Sequence, residues 1–261
     1  MTSALQIARS GLDALDQKMK AISNNLANVN TTGFKKDRAN FETLMYQSGR
    51  SPGDPSGASS DYAVGLGSGT GVRVAGTERI HTQGSLTQTG NALDMAIEGS
   101  GFFQVTQADG TIAYTRDGSF KLNAEGQIVT GSGDKLASAI IVPDGAQQIV
   151  IAPDGTVSAT LQGATSATQI GQIQIARFLN PAGLQPVGGN LYTATTASGV
   201  AQAGAAGTDG SGVVRQGSLE ASNVSTVQEL VDMIETQRAY EVNAKVINSA
   251  DEMAKYVTQN M

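Results

Sequence analysis

Four groups of residues carry the side-chain types that active sites use. The glycine run GLGSGTG at 65–71 has the composition of a phosphate-cradling loop. Asp94, Glu98, Asp109 and Asp117 offer carboxylates that could pair for glycoside cleavage. His81, the only histidine, could act as a base in a Ser-His-Asp arrangement, and Lys35, Lys36 and Arg38 form the one dense basic cluster. Each group fails its next requirement. No Lys-Ser or Lys-Thr follows the glycines, and VRVAGTERI after them reads as strand, where an anion would need a helix N-terminus. Asp109 and Asp117 stand in Asp-Gly pairs, which turn formation explains, and the Asp-Gly pairs at 109, 117, 144, 154 and 209 lack the spacing of a calcium loop. His81 has no companion signal and is expected to have a surface or packing role, and the basic cluster is expected to be solvated or salt-bridged surface.

Composition excludes further classes. The 261 residues contain no cysteine, so disulfides, thiolate metal sites and cysteine nucleophiles are ruled out, and neither metal nor cofactor is expected. A formal charge of −6 argues against nucleic acid, whose phosphates need a basic face. No stretch nears the roughly 20 apolar residues of a membrane span, so no membrane insertion is expected. The N-terminus lacks a basic segment followed by an apolar core, so a cleaved signal peptide is not expected and export would need another route.

The elements that hold these residues are clearer than any site. Leu5, Leu12, Leu15, Met19, Ile22, Leu26 and Val29, with Ala8 in the gap, recur at spacings of three and four, the seam of a coiled coil over 1–30. Ser3 and Gln6 suggest a capping box, and the Asn, Thr and Gly that follow favour a turn. At the other end Ser222, Asn223, Ser225 and Thr226 offer N-caps to a helix over 225–261. Its apolar residues form two lines, Met233, Tyr240 and Ile247 against Val242, Val246, Ala250, Met253 and Val257, so it needs more than one neighbour. Helices of roughly 38 and 50 Å exceed what one small domain covers. Either they form a hairpin that joins the termini, or their seams serve other subunits.

The middle alternates between two characters. Residues 48–61, SGRSPGDPSGASSD, have almost nothing to bury and read as a flexible linker within an extended segment over 31–71. From 72 to 196 short alternating runs such as Phe103/Val105, Phe120/Leu122 and Ile173/Ile175, divided by Asp-Gly, predict an antiparallel β domain. Few aromatics and no Trp suggest a thin domain of small side chains, and 197–224 is read as a return connection. The expected class is α+β: long terminal helices pairing in a coiled-coil-like domain, a central antiparallel β-rich domain, and an extended linker.

SNNLANVNTTGFK from Ser23, ALDMAIEGSGFFQV at 92–105, YTRDGSFKLNAEGQIVT at 114–130 and ELVDMIETQRAYEVNAKVINSADEM at 229–253 stand in one order across both ends and the middle. By these motifs the chain resembles the flagellar rod and hook axial proteins, most of all their distal rod branch. The resemblance implies a structural protein polymerised helically into a shaft that transmits torque and encloses an export channel. It implies as partners further copies of itself, proximal rod proteins, hook protein and surrounding ring proteins. Leu5, Leu12, Leu15, Met19, Ile22 and Leu26 would form the inner seam, with Leu230, Ile234, Tyr240, Ala244 and Ile247 opposite. Asn24, Asn25, Asn28, Gly33 and Phe34 would make the helix exit, and Gln237, Asn243 and Asn248 would face the channel. Ser48, Pro52, Pro55 and Asp61 mark a rod-specific insertion over about 46–65, polar here where such relatives carry a Gln-rich segment. A proximal rod or hook-type protein is the alternative, and a periplasmic cell-wall-cleaving enzyme the remote one.

Overall fold

A computed structural model describes every residue except Met1, Ala58, Ser59, Ala139, Ala164, Thr165, Asn260 and Met261. The chain divides into two compact units, one of Met1–Leu26, Asp37–Arg79 and Ser225–Met261, the other of Ala27–Lys36 and Ile80–Val224.

The first unit contains two helices, α1 over Thr2–Ala27 and α2 over Thr226–Gln259. α1 is rich in Ala and Leu, good helix formers, and opens at Thr2, so Ser3 lies inside it and not at its cap. Glu229 in the first turn of α2 complements the positive end of the helix dipole, and its N–H donates to Ser225 O at 3.0 Å. Asp37–Thr43 pairs antiparallel with Val72–Arg79, with a bulge at Asn40/Phe41 that changes the facing residue. Asp37 accepts from Arg79 Nε and Nη2 at 2.7 Å each, a bidentate pair that fixes one end of this ribbon. Val72–Arg79, expected to open the β domain, therefore lies in the unit that holds the helices.

The stretch expected as a flexible linker is a β-hairpin. Gln47–Arg50 pairs with Leu66–Ser68, and Pro55–Gly57 with Ser60–Asp61. Gly53 N–H donates to Tyr62 O and Tyr62 N–H to Asp54 O, both at 2.9 Å, while the Arg50 guanidinium lies 3.6 Å over the Tyr62 ring. Composition hid this because backbone pairing needs no apolar side chain, and Tyr62 and Leu66, which complete the hairpin, lie beyond the polar run. Ser48, Pro52 and Pro55 are exposed; Ala58 and Ser59 of the same stretch lie outside the described residues, as does the side chain of Asp61.

The second unit is built on a nine-stranded sheet in which Phe102–Thr106 pairs with Ile112–Thr115 on one side and with Lys135–Leu136 and Gln174–Arg177 on the other. Period-two alternation splits this strand between two clusters. Phe103 and Val105 join Met95, Ile97, Phe120, Ile175 and Val214, and Phe102 turns to Tyr114, Phe178 and Tyr192. The core is thus filled by large side chains, with Phe103 and Phe120 edge to face at 5.3 Å, not the small ones that composition suggested. Residues 197–224 are not a plain return: Gln202–Ala205, Val213–Gln216 and Ser218–Glu220 each pair with a strand of this unit. Four of the five Asp-Gly pairs make tight turns, since Gly110, Gly145, Gly155 and Gly210 take φ between +74° and +84°; Gly118 is the exception and does not take a positive φ.

Candidate assembly surfaces

On α1 Ala8, Ala14 and Ile22 are buried, while Leu5, Leu12, Leu15, Met19 and Leu26 are half-buried, so the seam is only partly covered. α2 divides its faces unusually. Glu229 and Thr236 are 4% and 1% exposed, and Asn243, one heptad further, lies 3.5 Å from the position a Cβ on Gly11 of α1 would take. The opposite face carries Val227, Leu230, Val231, Ile234, Val242 and Val246, all 43% exposed or more. The covered side of α2 thus mixes Glu229, Thr236 and Asn243 with half-buried Met233, Ala244 and Ile247, while a second set of apolar residues on the far side stays open.

Of the residues expected opposite the α1 seam, Leu230 and Ile234 lie on this open face. Ala244 and Ile247 are half-buried, and Tyr240 rims a groove of about 360 Å³ whose walls include Leu15, Met19, Thr236 and Gln237. Of the three residues expected to face a channel, Gln237 and Asn248 are exposed, whereas Asn243 sits beside Gly11 of its own chain.

Asn25, 2% exposed, organises the end of α1. Its Oδ1 accepts from Asp37 N–H at 2.8 Å, and its Nδ2 donates to Asp37 O at 2.9 Å and to Glu229 Oε2 at 3.2 Å. Asn24 is exposed and Asn28 half-buried; Thr31 Oγ1 donates to Asn28 Oδ1 at 3.1 Å.

In the second unit the GFK segment enters a buried charge cluster. Lys35 and Glu220 are 0% exposed and paired, and Lys35 Nζ also donates to Thr82 O at 2.8 Å. The other Glu220 oxygen accepts from Arg116 Nη1 at 3.2 Å, and Gly84 N–H donates to Oε1 at 2.9 Å. Arg116 Nη2 donates to Gly99 O at 2.8 Å. Burial pushes the Lys35 ammonium below its ordinary pKa, with Glu220 pulling it back up and Arg116 pushing further down. The expectation of a solvated basic cluster thus fails at Lys35, because its partner lies 185 residues away, where no local signal reaches. Arg38 does make the surface ion pair expected, to Glu78 at 3.0 Å.

Gly33 enters the same cluster. Its N–H donates to Glu220 O at 2.8 Å, its φ is +69°, and a Cβ would come within 2.7 Å of Arg116 C. Gly33→Ala should therefore cost about 2 kcal/mol or more from the left-handed backbone together with the clash. Urea unfolding would measure it, and a loss below about 0.5 kcal/mol would show that the turn can re-form. Phe34 beside it is 7% exposed. Asn223, expected to cap α2, instead accepts from Lys36 N–H at 2.8 Å and donates to Ile80 O at 2.8 Å.

The catalytic candidates are absorbed by structure. Asp109 accepts from Thr111 N–H at 2.9 Å and Asp117 from Ser119 N–H at 3.0 Å, each within its own turn. Asp94 accepts from Thr89 Oγ1 at 2.6 Å, Glu98 pairs with Arg215, and the His81 ring packs edge to face on Phe102 and Tyr192. The glycine run contributes the strand Leu66–Ser68, with no helix after it. Among the described residues no group of three or more His, Cys, Asp or Glu could hold a metal, and no helix is long and apolar enough to cross a membrane.

Two terminal helices carrying exposed apolar residues, and a β-rich middle whose candidate catalytic side chains are held in turns, ion pairs and packing, leave assembly surfaces as the candidate functional feature. Three family descriptions match in register with these parts. "Flagella basal body rod protein" covers residues 5–35, "Flagellar hook protein FlgE/F/G D1 domain" 96–159, and "Flagellar basal body rod FlgEFG protein C-terminal" 215–260. The chain is 49% identical to the flagellar basal-body rod protein FlgG of Buchnera aphidicola (from Acyrthosiphon pisum), over 99% of this chain and 100% of that one. It is 42% identical to FlgG of Caulobacter vibrioides, over 98% of each chain. The rod protein FlgF of that organism is 36% identical, over 100% of this chain and 98% of its own. The chain belongs to the flagellar basal-body rod and hook family, and it is a structural protein, not an enzyme.

Proposed function

We propose that this chain is a distal rod subunit, a helically polymerised segment of the flagellar shaft that transmits torque and encloses an export channel. One observation carries the assembly: Val227, Leu230, Val231, Ile234, Val242 and Val246 of α2 are exposed together on the side away from Glu229 and Thr236. In water that set is unfavourable at about 25 cal/mol per Å² of apolar surface, so a neighbouring copy is its natural cover. Within each copy α1 and α2 pair as an antiparallel coiled coil, a reading supported by the contacts of Asn25 with Glu229 and of Gly11 with Asn243. Leu5, Leu12, Leu15, Met19, Leu26, Leu230, Ile234, Tyr240, Ala244 and Ile247 then serve subunit packing, and Gln237 and Asn248 line the channel, where uncharged amides do not trap passing chains. Proximal rod proteins and hook protein adjoin the shaft at its ends, and ring proteins surround it. Two rod proteins of one organism, Caulobacter vibrioides, rank FlgG above FlgF in likeness, which favours the distal assignment over the proximal one.

The hairpin gives this reading its test. Met45 and Tyr46 before the hairpin and Val64 and Leu66 on its return side are 64% exposed or more, a surface suited to lie lengthwise between stacked copies and resist sliding. Leu44 N–H already donates to Gly71 O at 3.0 Å and Thr70 Oγ1 to Met45 O at 2.6 Å, so the chain can close below the hairpin. Deleting residues 47–68 should leave a stable chain that still polymerises, but into shafts that curve or grow to abnormal length in electron micrographs. Loss of all polymer would contradict the stiffening role, and straight shafts of ordinary length would make the hairpin a tether only.

A further inference from the structure

We infer that Asn25 is the residue that sets the register of α1 against α2. This rests on the pairing of the two helices within one chain, and not on their polymerisation. One half of the apolar seam is blind to register, and in the other only Ala8, whose heptad successors are Leu15, Ile22 and Val29, weighs against a slip. Leu5, Leu12, Met19 and Leu26 follow one another at heptad spacing, so a slip of seven residues replaces one long apolar side chain by another of similar volume. Thr236 is also indifferent, because its hydroxyl donates to Asp232 O of its own helix at 2.6 Å wherever α1 stands. Asn25 is different. Its amide is held by reciprocal hydrogen bonds to Asp37 N and O, and Asp37 is held in turn by Arg79. One Nδ2 hydrogen is thereby directed at a fixed point in a buried place, and Glu229, 4% exposed, meets it there at 3.2 Å.

A second contact agrees with that register. Gly11 and Asn25 stand two heptads apart on α1, and Asn243 and Glu229 two heptads apart on α2 in the opposite sense, so both pairs belong to one antiparallel alignment. A slip by one heptad would put Thr236 opposite Asn25 and leave the Glu229 carboxylate without this donor. Buried polar pairs of this kind contribute little net stability, yet losing one partner is costly, which is how a single amide selects among alignments that apolar contact separates only at Ala8.

The absence of native cysteine makes register readable by disulfide formation in the full chain. Three paired variants report on it: Gly11→Cys with Asn243→Cys for the native register, and Gly11→Cys with Thr236→Cys or with Ala250→Cys for slips of one heptad. Each is oxidised mildly as monomer and as sedimented polymer, and intrachain bonds are separated from interchain ones by mass. In the otherwise unaltered chain only the 11/243 bond should form within one chain. With Asn25→Leu and Glu229→Leu together, which removes the buried amide–carboxylate pair at the cost of the amide's two bonds to half-buried Asp37, the ratio of native to slipped bonds should fall about tenfold or more. Glu229→Gln, which keeps an acceptor, should retain the native bond. Exclusive 11/243 bonding in the double leucine variant would overturn the proposal, as would an intrachain 11/243 bond that never forms. Intact polymer in either case would leave the assembly reading standing.

Discussion

Replacing Glu220 by Ala is expected to cost the second unit about 3–5 kcal/mol, enough to unfold a marginal domain. The side chain is fully buried between Lys35 and Arg116, and its loss leaves two cations facing each other out of water with Gly84 N–H unpartnered. Lys35→Met should be far milder, about 1–2 kcal/mol, because Arg116 and Glu220 remain a matched pair, and the two acceptors that lose the ammonium, Glu220 Oε1 and Thr82 O, keep Gly84 N–H and Asn223 Nδ2 as donors. Urea unfolding of both full-length variants by circular dichroism measures the difference. Equal costs would mean that the cluster is held by packing and not by charge balance. The same lysine predicts a pH dependence. Burial lowers its folded pKa, so just below the ordinary lysine value of about 10.4 the unfolded chain binds a proton that the folded chain has released. Stability should therefore rise with pH in that window, and Lys35→Met should remove that part of the slope.

Ile234→Asp should abolish assembly while leaving the subunit folded. Ile234 is 50% exposed on the open face of α2, so in a single chain the new carboxylate stays in water and stability should change by no more than about 0.5 kcal/mol. In the polymer the same carboxylate would be buried unpaired at a cost of several kcal/mol at every subunit contact. Sedimentation should show monomer at concentrations where the unaltered chain forms shafts, with an unchanged unfolding midpoint. Leu12→Asp should differ, because Leu12 is half-buried on α1 and its replacement should weaken the helix pair as well as assembly. Polymer of normal length from Ile234→Asp would place the interface elsewhere.

Period and turn chemistry made much of this architecture legible beforehand. The three-and-four spacing from Leu5 to Val29 predicted a helix over 1–30, and the structure has one at Thr2–Ala27. The caps and apolar lines near the C-terminus predicted α2 within a residue of its start at Thr226. Both are signals among residues a turn or two apart, and helical hydrogen bonds obey the same range. The Asp-Gly turns were legible for the same reason, since positive φ at Gly110 or Gly155 is a property of a few consecutive residues.

The errors share a cause of the opposite kind. Lys35 looked like part of a surface cluster because Lys36 and Arg38 adjoin it, and only pairing with Glu220 across the fold shows it to be buried. Residues 48–61 looked like a linker because their side chains bury nothing, whereas their backbone pairing depends on a strand at Leu66–Ser68 outside the run. The two apolar lines of α2 announced a need for two neighbours, but which face meets its own chain followed from the buried amide and carboxylate of Asn25 and Glu229. Local spacing thus settles which segments are helix, turn or strand, because those choices are made among residues close along the chain. Burial of a charge, the partner of a strand and the outward face of a helix are settled only in the folded chain, where residues up to 204 positions apart come within hydrogen-bonding distance.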